Sequence, residues 1–406
     1  MKREKLDIPN LFENKKDCCA CGACLNICPK EAISLKQDEY GFLYPEIDEY
    51  LCIRCELCKK VCAFQNVEED NVPISTFAAI SKNRNQAKNS ASGGIFAAIA
   101  QYVINNNGIV YGAAFDDSWN VKHIGIEHIE DLIKLQGSKY TQSNTDTTFI
   151  EVKKMLALGK QVLYSGTPCQ IAGLKKYLGK DYTNLITIDI ICHGVPSNKM
   201  FKDYLSYLEA KNNAKIQNFK FRDKKTGWGI NGSVVFLKQN KKVVNSKIWQ
   251  STSSYLYYFT NSGIYRESCY SCKYASFNRP GDITLGDYWG IEREHPEYLS
   301  IDGWKEKEGI SVVVSNTNKG IGLLDEIKEY IDLKPSSFEK ASRNNSQLNC
   351  PSHPGKKEEI LSEYKKNGWN SIESRFNKEI GIRKFSSQIK SFIPSFIKRK
   401  IKRIIS

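Results

Sequence analysis

The sequence contains no apolar run that approaches the ~18 residues needed to cross a bilayer. Its opening stretch, MKREKLDIPNLFENKK, is charged throughout and lacks the apolar centre of a secretory signal. Both absences point to a cytoplasmic protein, where thiols stay reduced. There is no full G-x-G-x-x-G fingerprint and no Walker loop, which argues against a classical NAD or ATP site. From Arg383 to Ser406 there is not one acidic residue, against eight Lys or Arg.

What is present is a chain of 406 residues, enough for two or three domains. Its 41% hydrophobic and 26% charged content is that of a globular protein rather than a disordered one. The net charge of +14 admits nucleic acid, an anionic membrane or an acidic cofactor as partner. The most telling feature is cysteine. There are 14, five of them within the eleven residues from Cys18 to Cys28. In a reducing compartment they signal metal or redox chemistry, not structural disulfides.

Cys18, Cys21, Cys24 and Cys28 have the spacing C-x2-C-x2-C-x3-C, followed by Pro29. Cys52, Cys55, Cys58 and Cys62 repeat it, with Ala63 in place of the proline. This is the bacterial ferredoxin run, in which three close thiolates hold one cubane and the fourth cysteine reaches the other. The spacing therefore predicts one 4Fe-4S cluster on Cys18, Cys21, Cys24 and Cys62. A second is expected on Cys52, Cys55, Cys58 and Cys28. A zinc site would want four ligands in more widely separated pairs. Cys19 is surplus and is read as a bystander. Between the runs, AISLKQDEYGFLYPEID alternates and turns at Gly41, which predicts a small strand pair.

A two-cluster ferredoxin needs only a fraction of this length. The acidic stretch from Val67 to Ser75 reads as a linker. Beyond it, Ser90 to Gly94 is a small-residue turn, then a helix is expected at about Ile95 to Ile104 and a strand at about Ile109 to Phe115. Ser92 is a candidate N-cap, and Gly93 and Gly94 would let backbone N–H groups approach an anion. The plain alternative is a glycine turn that merely starts a helix. The polar loop QGSKYTQS, Gln136 to Ser143, reads in isolation as solvated surface.

KQVLYSGTPCQIAGLKKYL reads as strand, turn and helix, with Cys169 at the turn. A second strand, Leu185 to Ile191, ends in Cys192-His193-Gly194. Strand ends of this kind are where α/β proteins build ligand sites. CYSCKYASFNRPGDITLGDYWG adds Cys269 and Cys272. Once the ferredoxin cysteines, Cys19 and the isolated Cys350 are set aside, Cys169, Cys192, Cys269 and Cys272 remain. Spacing leaves them open to a third 4Fe-4S cluster, a zinc site, a redox C-x2-C pair or simple buried thiols. GISVVVSN predicts a buried strand, and GIGLLDEIKEYI a helix.

Together SASGGIF, QGSKYTQS, GTPCQIAGL, DIICHGVPS and CYSCKYASFNRPGDITLGDYWG resemble the coenzyme F420 hydrogenase/dehydrogenase beta-subunit family, from about Phe77 to about Asn316. The resemblance implies an α+β fold. A small ferredoxin-like two-cluster module would span 1–66, a linker 67–76, a larger mixed α/β flavin-binding domain 77–350, and a basic helical tail 351–406. It implies FAD, and makes Cys169, Cys192, Cys269 and Cys272 the ligands of a third cluster beside it. Ser92, Gly93, Gly94, Ser138, Lys139 and Tyr140 become flavin-pocket residues, with Lys139 facing the pyrophosphate or the N1 region. His193 becomes a neighbour of the cluster sulfur, and Asp287 and Tyr288 fall near the pocket. No catalytic residue is singled out.

The implied activity is an iron–sulfur flavoprotein oxidoreductase acting on a small molecule, such as an F420-like deazaflavin or another hydride acceptor. A redox partner protein or ferredoxin would supply or take the electrons. The alternatives are an electron-transfer subunit without its own substrate, and a scaffold that keeps clusters as structure. The tail KFSSQIKSFIPSFIKRKIKRIIS is either solvated or, from about Ser395, a basic amphipathic helix for peripheral contact with an anionic membrane. The latter would fit a surface-polysaccharide substrate. Nothing else in the chain supports nucleic-acid binding.

Overall fold

The computed structural model describes residues 8–67 and 71–381. In the N-terminal module, β1 (Ile33–Gln37) and β2 (Leu43–Ile47) pair antiparallel, Ile33 opposite Ile47, and separate the two cysteine runs. Each run closes on a short helix, Ala23–Ile27 and Leu57–Lys60.

The remaining strands follow in the order β3 (Ser75–Ser81), β4 (Ile109–Phe115), β5 (Val121–Ile126), β6 (Val162–Gly166) and β7 (Leu185–Ile190), then β8 (Ala214–Lys220), β9 (Asn231–Lys238), β10 (Val243–Trp249), β11 (Ile283–Asp287), β12 (Ser311–Ser315) and β13 (Ile331–Ser336). Eight of them form one mixed sheet in the spatial order β13-β3-β12-β11-β7-β6-β4-β5. Its centre, β11-β7-β6-β4, is parallel, and the strands on either side are antiparallel. Parallel strands covered on both faces read as unbroken apolar runs. Val162–Tyr164 and the nearly apolar Leu185–Ile188 follow this rule, and every residue in both stretches is buried. β8, β9 and β10 form a separate antiparallel sheet.

One face of the main sheet packs on the helices Ile95–Asn105 and Asn318–Glu326. Against the other lie Thr148–Ala157 and Pro168–Leu178, and this core includes Cys19, Cys21, Ala23, Val61 and Phe64 of the N-terminal module. The module is therefore built into the main body. Thr145 donates its hydroxyl to the Cys21 carbonyl at 2.9 Å, Asn26 donates to the Asp146 carbonyl at 2.7 Å and Tyr274 to the Ala63 carbonyl at 2.7 Å.

Gly173, inside the helix Pro168–Leu178, makes this docking close. A Cβ there would stand 2.7 Å from the Cys21 sulfur and 2.9 Å from its Cβ. Alanine gains about 0.5–1 kcal/mol of helix propensity over glycine, whereas overpacking costs about 1–3 kcal/mol. Cys21 is a short side chain with little room to yield, so Gly173→Ala is expected to lose about 1–2 kcal/mol in denaturant unfolding. Unchanged or increased stability would mean that the module seats less tightly than this.

A third core is rich in aromatic side chains. It joins the β8–β10 sheet, the helices Asn198–Asn212 and Ser254–Thr260, and the helical stretch Lys357–Ile380, which breaks at Gly368. Trp369, Ile372 and Phe376 of that stretch are buried. A boundary at 350 thus does not release a free tail: residues 357–380 belong to the body of the protein. The basic segment from 382 onward, with its proposed membrane helix, lies outside the described residues. Among the described residues no helix is long and apolar enough to cross a membrane.

Candidate functional site

Twelve of the cysteines fall into three groups. Cys28, Cys52, Cys55 and Cys58 line one small cavity near the surface, together with Pro9, Lys30 and Ile53. Cys55 is exposed. Deeper in, Cys24 is surrounded by Cys21, Cys18 and Cys62; burial pushes its thiol well above the ordinary value, and these neighbours push the same way. The third group, Cys169, Cys192, Cys269 and Cys272, lines a cavity whose wall also holds Cys19, Gln142 and Arg266. Burial raises Cys192 to about 12 and Cys272 to about 11, with the neighbouring thiols adding to each shift. Cys19, expected as a bystander, lines this cavity, and its influence lowers the Cys169 and Cys21 thiols.

This donor chemistry fits iron–sulfur clusters. Buried thiols that hold their protons give them up when a bound metal supplies positive charge. Among the described residues no three His, Cys, Asp or Glu converge tightly enough to grip one metal ion. The thiols of the outer and third groups line shared cavities, and thiolates are the ligands such clusters take.

The third thiol group is held by a buried ion pair. Arg279, 1% exposed, donates Nη2 to Asp189 Oδ1 at 2.6 Å and Nε to the same oxygen at 3.1 Å. The Gly281 amide donates to Asp189 Oδ2 at 2.8 Å, and Arg279 Nη1 to the Tyr274 carbonyl at 2.8 Å. Asp189 lies on β7 just before Cys192. Arg279 closes the loop that carries Cys269 and Cys272. The pair therefore clamps the two parts of the group together.

Above the carboxyl ends of β4, β6, β7 and β11 lies a cleft with a cavity volume of about 380 Å³. This is the place where parallel α/β sheets bind ligands. Ser143, Thr167, Gln170 and the segment Cys192–Val195 line both this cleft and the third thiol cavity. The two are separated by one layer of residues.

The helix Ile95–Asn105 points its N-terminus into the cleft. Its N-cap is Gly94, in the left-handed region at φ +90°, and no side chain caps it. Its first amides and its dipole thus suit an anion. Ser92, Gly94, Ser138, Lys139 and Tyr140 all line the cleft. Two sequence expectations are corrected. Ser92 does not cap the helix, because its hydroxyl donates to the Ile310 carbonyl at 2.8 Å. Gly93 does not face the cleft: its amide donates to Ser311 Oγ at 2.9 Å, and a Cβ there would strike the Ala79 carbonyl and the Ser311 amide. Lys139 donates to the Lys134 and Gln136 carbonyls, and burial lowers its ammonium to about 7.

At the opposite wall Arg222 forms a two-pronged pair with Asp287, at 2.7 and 3.1 Å, and donates to Tyr140 Oη at 3.1 Å. Trp228 donates to Asp287 at 2.6 Å and stacks on Trp289. Tyr288 is directed away into a separate core, where its hydroxyl meets Ser336. His123 also lines the cleft. Its Nε2 donates to the Ser165 carbonyl at 2.9 Å, so Nδ1 accepts from Ser143 at 2.7 Å. Burial lowers it to about 4, which keeps it neutral. His193, on the shared wall, is likewise lowered by burial.

Comparison with known proteins gives the family. Models of the family described as coenzyme F420 hydrogenase/dehydrogenase, beta subunit, match in two parts, the N-terminal over residues 76–148 and the C-terminal over 159–340. A 4Fe-4S dicluster domain model matches residues 17–66 ahead of them. The chain belongs to the coenzyme F420 hydrogenase/dehydrogenase beta-subunit family. It is 26% identical over 323 residues to a coenzyme F420-dependent sulfite reductase of Methanocaldococcus jannaschii, covering 78% of this chain and 46% of that protein. It is 24% identical over 164 residues to one of the subunits of the F(420)H(2) dehydrogenase of Methanosarcina mazei, covering 38% of this chain and 46% of that one. The chain thus spans somewhat less than half the length of each. A chain from the F420-reducing [NiFe] hydrogenase complex of Methanosarcina barkeri superposes with a TM-score of 0.42 at 16% identity, over 73% of this chain and 95% of that one. That likeness is too loose to argue from.

Several site residues of this family member carry no clear mark in the sequence. Arg222, just past β8, and Trp289, just past β11, line the cleft, with Trp228 packed behind on Asp287 and Trp289, and no local motif announces Arg222 or Trp228. The DYWG stretch offers a signal for Trp289: next to Asp287, alternation places Asp287 and Trp289 on one side and Tyr288 on the other. Arg266 and Cys19 carry none.

Proposed function

We propose that this chain is an iron–sulfur flavoprotein oxidoreductase that passes electrons between three 4Fe-4S clusters and an FAD in the cleft. The observation that carries the reading is the shared wall, Cys192–Val195, between the cleft and the third thiol cavity. The clusters would be held by Cys28, Cys52, Cys55 and Cys58 near the surface, by Cys18, Cys21, Cys24 and Cys62 beneath, and by Cys169, Cys192, Cys269 and Cys272 under the cleft. Bound FAD supplies the conversion between two-electron hydride chemistry and the single-electron steps of clusters.

The chain's own residues suit that role. The open N-terminus of the helix Ile95–Asn105 takes the pyrophosphate. Lys139, lowered to about 7 by burial, is held as a cation once an anion sits beside it. Tyr140 and Phe259, stacked with centroids 4.3 Å apart, form an aromatic wall. The Arg222–Asp287–Trp228 group sets a rigid far end for a small hydride donor or acceptor, for which the relatives' names support an F420-like deazaflavin. The printed name of one relative, a subunit of an F(420)H(2) dehydrogenase, also supports a second reading, an electron-transfer subunit that works with further chains.

The test is anaerobic purification followed by measurement of iron, sulfide and flavin per chain. About twelve irons and one FAD are expected, four irons for each cubane. About eight irons without flavin would leave only the N-terminal module as a redox unit and overturn the enzyme reading.

A further inference from the structure

Arg266 has no exposed surface. Burying a charge without a counter-charge is strongly unfavourable, and the other two largely buried arginines obey that rule: Arg279 pairs with Asp189 and Arg222 with Asp287. Among the described residues Arg266 meets only neutral groups. Nε donates to the Cys18 carbonyl at 2.8 Å, and Nη1 to the Leu43 carbonyl at 2.7 Å and to Gln142 Oε1 at 3.3 Å. The guanidinium carbon lies 4.0 Å from the centre of the Tyr44 ring. Among the described residues the buried Nη2 has no hydrogen-bond partner.

Its position is as unusual as its charge. Through Cys18 it touches the inner group of the module. It also lines the third thiol cavity, and its amide donates to the Val195 carbonyl, at 2.9 Å, on the wall of the cleft. It stands between two anionic sites, while the outer group, with exposed Cys55, is open to screening by water.

We propose that Arg266 is the fixed counter-charge of the inner and third clusters and that it raises their reduction potentials above that of the outer one. This rests on the cluster assignment proposed above. A thiolate-ligated cluster is an anion, and gaining an electron makes it more so, so net charge and hydrogen bonding around it set its potential. A buried cation beside it favours the reduced form. One electron leaves the reduced outer cluster and one enters the inner cluster, with no proton moved and no bond made. Arg266 makes that transfer downhill, toward the cleft. It is a positioning residue for charge and touches no substrate.

The experiment is a dithionite titration of the anaerobically purified full chain, followed by electron paramagnetic resonance, on wild type, Arg266→Gln, Arg266→Lys and Gln142→Glu. The last variant leaves Arg266 in place and sets a carboxylate against it. At the potential where the wild-type inner cluster is half reduced, Arg266→Gln and Gln142→Glu are expected to lower its reduced-to-oxidised ratio about tenfold, about 59 mV for one electron. Arg266→Lys, which keeps the charge, should lie close to wild type. The outer cluster's midpoint should hold in all four. Unchanged inner midpoints, or loss of the inner clusters from both Arg266→Gln and Gln142→Glu, would overturn the proposal and leave Arg266 a structural bracket. If wild type carries about eight irons instead of about twelve, the flavoenzyme reading fails, yet the inner cluster of the module still reports on Arg266.

Discussion

If the proposed third cluster is bound, Cys192→Ala is expected to hold about eight irons per chain against about twelve expected of the wild type, one cubane fewer. Cys192 lies past the end of β7, and its thiol is pushed up to about 12 by burial and by Cys169 and Cys272. Such a thiol ionises only for a bound metal. Because Cys192 lines both the third cavity and the cleft, its loss should also cut the path between module and cleft. Flavin in the variant should then stay oxidised when electrons enter at the surface cluster, while the two clusters of the module still reduce. Iron and sulfide analysis and anaerobic visible spectra read both effects. Cys350→Ala, at an exposed thiol, serves as the control and should keep all the iron. Equal iron in the two variants would return Cys192 to an ordinary buried thiol and sink the third-cluster assignment.

Asp189→Ala is expected to destabilise the protein by about 3–5 kcal/mol, the cost of leaving the charge of a broken buried pair uncompensated. Asp189 is fully buried and Arg279 nearly so, so water cannot rescue the guanidinium. The carboxylate also takes the Gly281 amide, and that bond is lost as well. Since Arg279 ties the loop of Cys269 and Cys272 to the strand leading to Cys192, iron should fall at the third site before the module is affected. Denaturant unfolding of the anaerobic protein measures the first effect and iron content the second. A loss of about 1 kcal/mol or less, the range of an exposed pair, would mean that the clamp is open to solvent.

Much of the fold is legible along the chain. β4 spans Ile109–Phe115 and the following turns and strands lie where apolar runs and glycines put them, because strand and helix periodicity are local properties. The same holds for the strand pair between the cysteine runs. Ser92 does not make the expected N-cap, because a serine before a helix offers its hydroxyl to whatever carbonyl lies nearer, and here Ile310 arrives from 218 residues away. The stretch Lys357–Ile380 falls within 351–406, expected as a basic helical tail. In the fold its Trp369 and Phe376 find partners among Tyr204, Tyr255 and Tyr257, which no local pattern announces.

By itself the sequence determined the two ferredoxin runs, the main strands and the cysteines left over for a further site, because ligand spacing and apolar period are properties of short segments. Tertiary structure alone decided that the module docks on Gly173, that the cleft and the third thiol group share a wall, and that Arg266, Arg222 and Cys19 stand where they do. These depend on contacts such as Arg279 with Asp189, 90 residues apart, or Arg266 with Cys18, 248 apart. Long-range contacts are selected by how whole layers pack, and a short window of sequence carries no record of its distant partner.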